Sequence, residues 1–67
     1  MENFSTRLKE LREEKGLSQS QLAKLTHISQ AAISLWEYGQ RQPNAEAIIT
    51  MAQFFGVSTD YILGLVD

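Results

Sequence analysis

Gln30, Ala31, Ser34, Leu35 and Tyr38 recur at short steps within a nine-residue stretch, and their side chains suit recognition better than turnover. On a helix advancing about 100° per residue they share one side, while Ile33 and Trp36, flanked by Ala32 and Glu37, share the other. A Gln carboxamide can pair with adenine through two hydrogen bonds, a Ser hydroxyl can serve several bases, and Ala or Leu can touch a thymine methyl group. The sequence offers no carboxylate pair, no nucleophile beside a base and no phosphate-cradling glycine loop, so an enzyme is not expected. His27 is the only histidine and cysteine is absent, which leaves too few ligands for a metal site. No cofactor or small-molecule substrate is expected either, since so short a chain cannot enclose a substantial pocket.

The elements that must hold those side chains follow from spacing. Phe4, Leu8 and Leu11 step by four and three, with Lys15 and then Gly16 behind them, and predict a first amphipathic helix with a left-handed stop. Ser18 and Gln21 form a capping-box pattern that opens a second helix, whose Leu22 and Leu25 are expected to face the core. Thr26 and His27 make the turn, His being among the non-glycine types enriched at positive φ. Ser29 caps a third helix running to about Tyr38 and stopping at Gly39. With Ala23, Ile28 and Ile33 placed where crossing helices must touch, residues 18–38 have the spacing of a helix-turn-helix. Gln40 to Pro43 is a polar connection to Asn44, the cap of a fourth helix with Ala47, Ile48, Met51, Ala52 and Phe55 on its apolar face. Gly56 ends it, and Ser58 caps a short fifth helix, Thr59 to Leu63, with Asp60 in its first turn.

Sixty-seven residues with 43% hydrophobic content sit where one core is feasible and two are not, so residues 1–67 are read as a single domain. No apolar run approaches the ~20 residues needed to span a bilayer, and the amino terminus MENFSTRLKE lacks the apolar stretch of a signal peptide. A cytoplasmic protein is therefore expected, and a start at Met1 with an end soon after the fifth helix gives the expectation of a complete chain. The net charge of −2 leans against a polyanionic partner, yet the charge is uneven. Residues 1–41 hold all six cations (Arg7, Lys9, Arg12, Lys15, Lys24, Arg41) against five anions, a net +1, whereas residues 42–67 hold three anions and no cation, a net −3.

The run RLKELREEKGLSQSQLAKLTHISQAAISLWEYGQRQP, followed by AIITMAQFFGVSTDYILG, resembles the Cro and phage-repressor type of helix-turn-helix domain, the XRE family, from about Phe4 to Gly64. LSQ at the second helix, IS before the third, WE followed by one residue and Gly, and the closing FGVSTDYILG occur together at the family's spacing. The resemblance implies an all-α, compact five-helix lambda-repressor-like domain that binds operator DNA as a symmetric dimer. It implies that Ser18 and Gln19 hold a phosphate at the amino end of the second helix, and that Gln30, behind the cap Ser29, holds the backbone or an adenine. It further implies that Ala31, Ser34 and Leu35 read bases, that Tyr38, Gln40 and Arg41 grip neighbouring phosphates, and that Arg12 and Glu37 form a structural pair. Relatives often carry Arg or Lys where this chain has Leu35 or Gln40, so a bidentate guanine contact and one phosphate cation are missing here.

Each feature also has a plainer reading. Trp36, three residues after Ile33, belongs to a core before it stacks on a base. Phe54, Phe55 and Tyr61 read first as packing, their surplus over a small core suggesting a dimer seam. Glu13, Glu14 and Lys15 form a solvated face. Leu35 beside Tyr38 fits thymine methyls or a protein partner equally well. The leading expectation is a sequence-specific, dimeric DNA-binding transcriptional regulator, a repressor on an inverted-repeat operator. The alternative is a protein-interaction module, antitoxin- or antirepressor-like, using the exposed face of the third helix.

Overall fold

The computed structural model describes residues 3–67; Met1 and Glu2, which open the predicted domain, lie outside the described residues. Five α-helices and no strands make up that span: α1 (Phe4–Glu14), α2 (Gln19–Thr26), α3 (Gln30–Glu37), α4 (Ala45–Phe55) and α5 (Thr59–Ile62). Every helix starts the same way. Asn3, Ser18, Ser29, Asn44 and Ser58 sit in extended backbone, and each side-chain oxygen accepts from the amide three residues on. This supplies one of the amides that a helix start leaves unpaired. At Ser18 the exchange is reciprocal, as the capping-box pattern predicts: Ser18 Oγ accepts from the Gln21 amide at 3.0 Å, and Gln21 Oε1 accepts from the Ser18 amide at 2.8 Å.

Two stops set the course of the chain around α3. His27 takes the left-handed conformation at φ 60° and ψ 28°, turning the chain sharply between α2 and α3. Beyond α3, Gly39 at φ 72° donates to the Trp36 carbonyl at 3.0 Å, and Gln40 donates to the Leu35 carbonyl at 2.9 Å. That pair of bonds closes the helix and throws Gln40 and Arg41 outward.

Leu8, Leu22, Ile33, Met51 and Ile62 are completely buried, one from each helix, with Phe4, Leu11, Trp36, Ala47 and Ala52 around them. The core therefore takes a contribution from all five elements, and no helix is optional. Leu25 corrects the sequence expectation, because it is 56% exposed. The inward stripe of α2 runs through Gln19, Leu22, Ala23 and Thr26, the i, i+3, i+4, i+7 pattern of one helix face. Leu25 lies on the other flank of Leu22, toward solvent. Phe54, Phe55 and Tyr61 are half-buried against the core and are not spare surface. The two Phe rings meet edge to face at 5.0 Å. The exposed apolar side chains at this end are Leu65 and Val66.

Of the six cations in residues 1–41, Arg7 is turned inward and is 5% exposed. Its Nη1 donates to the carbonyls of Tyr61 at 2.9 Å and Val66 at 3.1 Å, and its guanidinium carbon lies 4.1 Å from the centre of the Tyr61 ring. Asp67 adds a carboxylate oxygen at 3.8 Å. A planar fork of donors suits this task, holding carbonyls in its plane while its face rests on an aromatic ring. Arg7→Ala is expected to lower the unfolding free energy by about 2 kcal/mol, the scale of hydrogen bonds to a charged group. Amide exchange should quicken first at Gly64 and Leu65. Urea denaturation and hydrogen exchange measure both, and unchanged values would refute the assignment.

Candidate nucleic-acid interface

α3 is dry along one edge and wet along the other. Ile33 is fully buried, and Trp36 is 6% exposed with its ring edge to face against Phe4, centroids 5.8 Å apart. On the far side Gln30 and Ala31 are exposed, Ser34 and Leu35 are half-buried, and Tyr38 is 73% exposed. An eight-residue helix could pivot about so short a buried edge, and a polar clamp prevents it. The Glu37 carboxylate, 3% exposed, accepts from Arg12 Nε at 2.7 Å and Arg12 Nη2 at 2.8 Å. It also accepts from the Gln19 amide nitrogen at 3.1 Å. Arg12 Nη1 completes the set by donating to the Leu17 carbonyl at 2.8 Å.

One carboxylate thus joins α1, α2 and α3. The hydrogen bond to Glu37 and its negative charge raise the Arg12 pKa above its ordinary value, against the opposing pull of burial, with Glu13 adding a smaller push. A raised pKa means that the guanidinium's contribution is complete below its unfolded-state value and disappears only as pH climbs through the folded one. For Arg that lies far above the working range, so this side of the clamp does not titrate there.

The ten predicted contact residues spread over the two ends of the surface and the α3 edge between them. Ser18, Gln19 and Tyr38 stand at one end. Gln19 and Tyr38 line a cleft of about 190 Å³ together with Lys9, Arg12 and Glu37. The Gln19 side chain is half-buried and donates to Glu37, so the expected phosphate contact at this end falls to the backbone amides of the α2 amino end, beside the exposed Ser18 cap. Ser29 and Arg41 stand at the other end and line a cleft of about 440 Å³ between the starts of α3 and α4. Gln30, Ala31, Ser34 and Leu35 lie along α3, and Gln40 is exposed just beyond it.

Sequence reasoning missed Lys9 as a member of this surface. Its position three residues before Arg12 is the available signal, since i and i+3 share a helix face. Trp36 holds a second omission: its Nε1 is the one buried side-chain polar atom without a hydrogen-bond partner among the described residues. Also among the described residues, no three His, Cys, Asp or Glu side chains are grouped to hold a metal ion, and no helix is long and apolar enough to cross a membrane.

Comparison with known proteins extends the picture. A helix-turn-helix family profile matches residues 8–62. Over 60 residues the chain is 42% identical to the HTH-type transcriptional activator BcrR of Enterococcus faecalis, covering 90% of this chain and 29% of that protein. Over 62 residues it is 34% identical to the HTH-type transcriptional regulator ImmR of Bacillus subtilis, covering 92% of this chain and 49% of that protein. The chain therefore spans less than half the length of either relative. The crystal structure of the P22 c2 repressor protein in complex with synthetic operator 9T superposes with a TM-score of 0.85 at 28% identity, covering 94% of this chain and 96% of that one.

Glu37→Ala is expected to cost about 3 kcal/mol of stability, because it leaves the Arg12 guanidinium buried and unpaired. Arg12→Met combined with Glu37→Leu should cost clearly less, since neither charge then remains inside. Equal losses in urea unfolding would contradict the clamp.

Proposed function

The chain belongs to the XRE-type helix-turn-helix family, and from that premise we propose that it is a sequence-specific DNA-binding transcriptional regulator that represses by occupying an inverted-repeat operator as a homodimer. The observation that carries this reading is the α3 edge of Gln30, Ala31, Ser34 and Leu35, uncovered while Ile33 and Trp36 anchor the opposite edge. A helix held out in this way fits the major groove, where carboxamide, hydroxyl and small apolar groups meet base edges. Backbone contacts come from the amino end of α2 at Ser18 and Gln19, from Tyr38, and from Gln40 and Arg41 beyond α3. Ser29 marks the amino end of α3 and Gln30 bridges backbone and base. Two copies set their third helices in successive grooves, ~34 Å apart along the duplex. No catalytic step, metal or cofactor enters this reading.

Selection of bound duplexes from a random pool tests it directly. An enriched inverted repeat supports both the reading face and the twofold partner; no enrichment at low salt would overturn the proposal. Against the selected duplex, Arg41→Ala is expected to flatten the slope of log affinity against log salt by about one. An unchanged slope would remove Arg41 from the backbone contacts.

Tyr38, 73% exposed beside a half-buried Leu35, favours a second reading in which this face grips another protein. Leu35→Arg separates the two. It is expected to tighten duplex binding measured by anisotropy if the face enters a groove, because it adds a cation at the phosphate-walled surface. Unchanged or weakened duplex binding would favour the protein partner.

A further inference from the structure

The cleft of about 440 Å³ between α3 and α4 gathers features that the core role of Trp36 does not use. Ser29 and Asn44 bring the amino ends of an eight-residue and an eleven-residue helix to its rim, and Arg41 lines it between them. Each cap satisfies a single amide, at Ala32 and Ala47, so the other first-turn amides of both helices remain turned outward with their partial positive charge. Trp36 forms part of the wall, is 94% buried, and holds its Nε1 hydrogen without an acceptor. A buried donor left unpaired is costly, and such groups in native folds call for an explanation. The only acidic side chain on the wall is Glu46, in the first turn of α4.

We propose that this cleft seats one oxygen of a duplex phosphodiester and that Trp36 donates its indole N–H to that oxygen. Trp36 then serves the domain twice, as core and as a backbone-positioning contact between α3 and α4. The inference rests on the DNA-binding reading and adds a contact to it. The exposed side chains of Arg41 and Gln42 form the rim, where the Arg41 cation draws the phosphate in. The contact carries no base information, because phosphate contacts fix register and orientation. Glu46 opposes the incoming charge, so its removal strengthens the site.

Trp36 is the sole tryptophan, so the protein has a single indole N–H resonance to follow. On titration with a duplex selected by the protein, that resonance is expected to move downfield together with the amides of Gln30 and Ser34. Sodium phosphate at matching phosphate concentration should leave it in place; an equal shift would assign the cleft to free anions and overturn the DNA contact. Trp36→Phe is expected to weaken duplex binding roughly tenfold, the scale of a charge-assisted hydrogen bond, without altering the selected sequence. Glu46→Gln should tighten it. An indole resonance that stays still while the α3 amides move would refute the proposal and leave the function intact, even if Trp36→Phe fails to fold. If no duplex is enriched, the DNA reading fails and takes this contact with it.

Discussion

A single carboxylate, that of Glu37, governs how the domain presents its third helix. Burying it next to Arg12 would be unfavourable if either group lost its partner, since desolvation of an ion inside a protein is large. The structure meets that demand with three donors on Glu37 and a carbonyl, that of Leu17, on the remaining arm of Arg12. Because the donors come from α1 and α2 and the acceptor from α3, the helices cannot slide or rotate independently without exposing an unmet charge. Hydrophobic contact around Ile33 is non-directional; the carboxylate adds the angle.

Much of this was readable from spacing. Caps and stops are local chemistry, and four of the five caps, the left-handed His27 and the glycine after α3 follow from residues within a few positions. The cap at Asn3 escaped because no apolar pattern precedes Phe4 to announce a boundary. Leu25 failed for a different reason: periodicity fixes the angle between residues but leaves open which flank of Leu22 faces a neighbour. Here Ala23 and Thr26 took the inner flank. Arg7 could not be placed at all, since its partners lie at Tyr61 and Val66, more than fifty residues away. Of the candidate site, the helix and its faces were visible, whereas the use of Gln19 by Glu37 and the unmet indole hydrogen of Trp36 depend on tertiary arrangement.

The charges also resolve once their locations are known. Of six cations, Arg7 and Arg12 are spent inside the fold, and Lys15 sits 6.0 Å from the Phe54 ring. Lys9, Lys15, Lys24 and Arg41 are exposed, and of these only Arg41 follows α3 and only Lys9 lines the cleft beside Tyr38. Few surface cations remain to meet phosphates, so oriented helix ends and hydrogen-bond donors take a larger share of any backbone contact. Dipoles and neutral donors release fewer counterions than lysines do, and binding built on them responds less steeply to salt.

The grip of Arg7 on the Val66 carbonyl has a mechanical result. It ties α1 to the segment that follows α5, so that segment cannot lift away without uncovering a buried guanidinium, and its opening is coupled to loosening of the first helix.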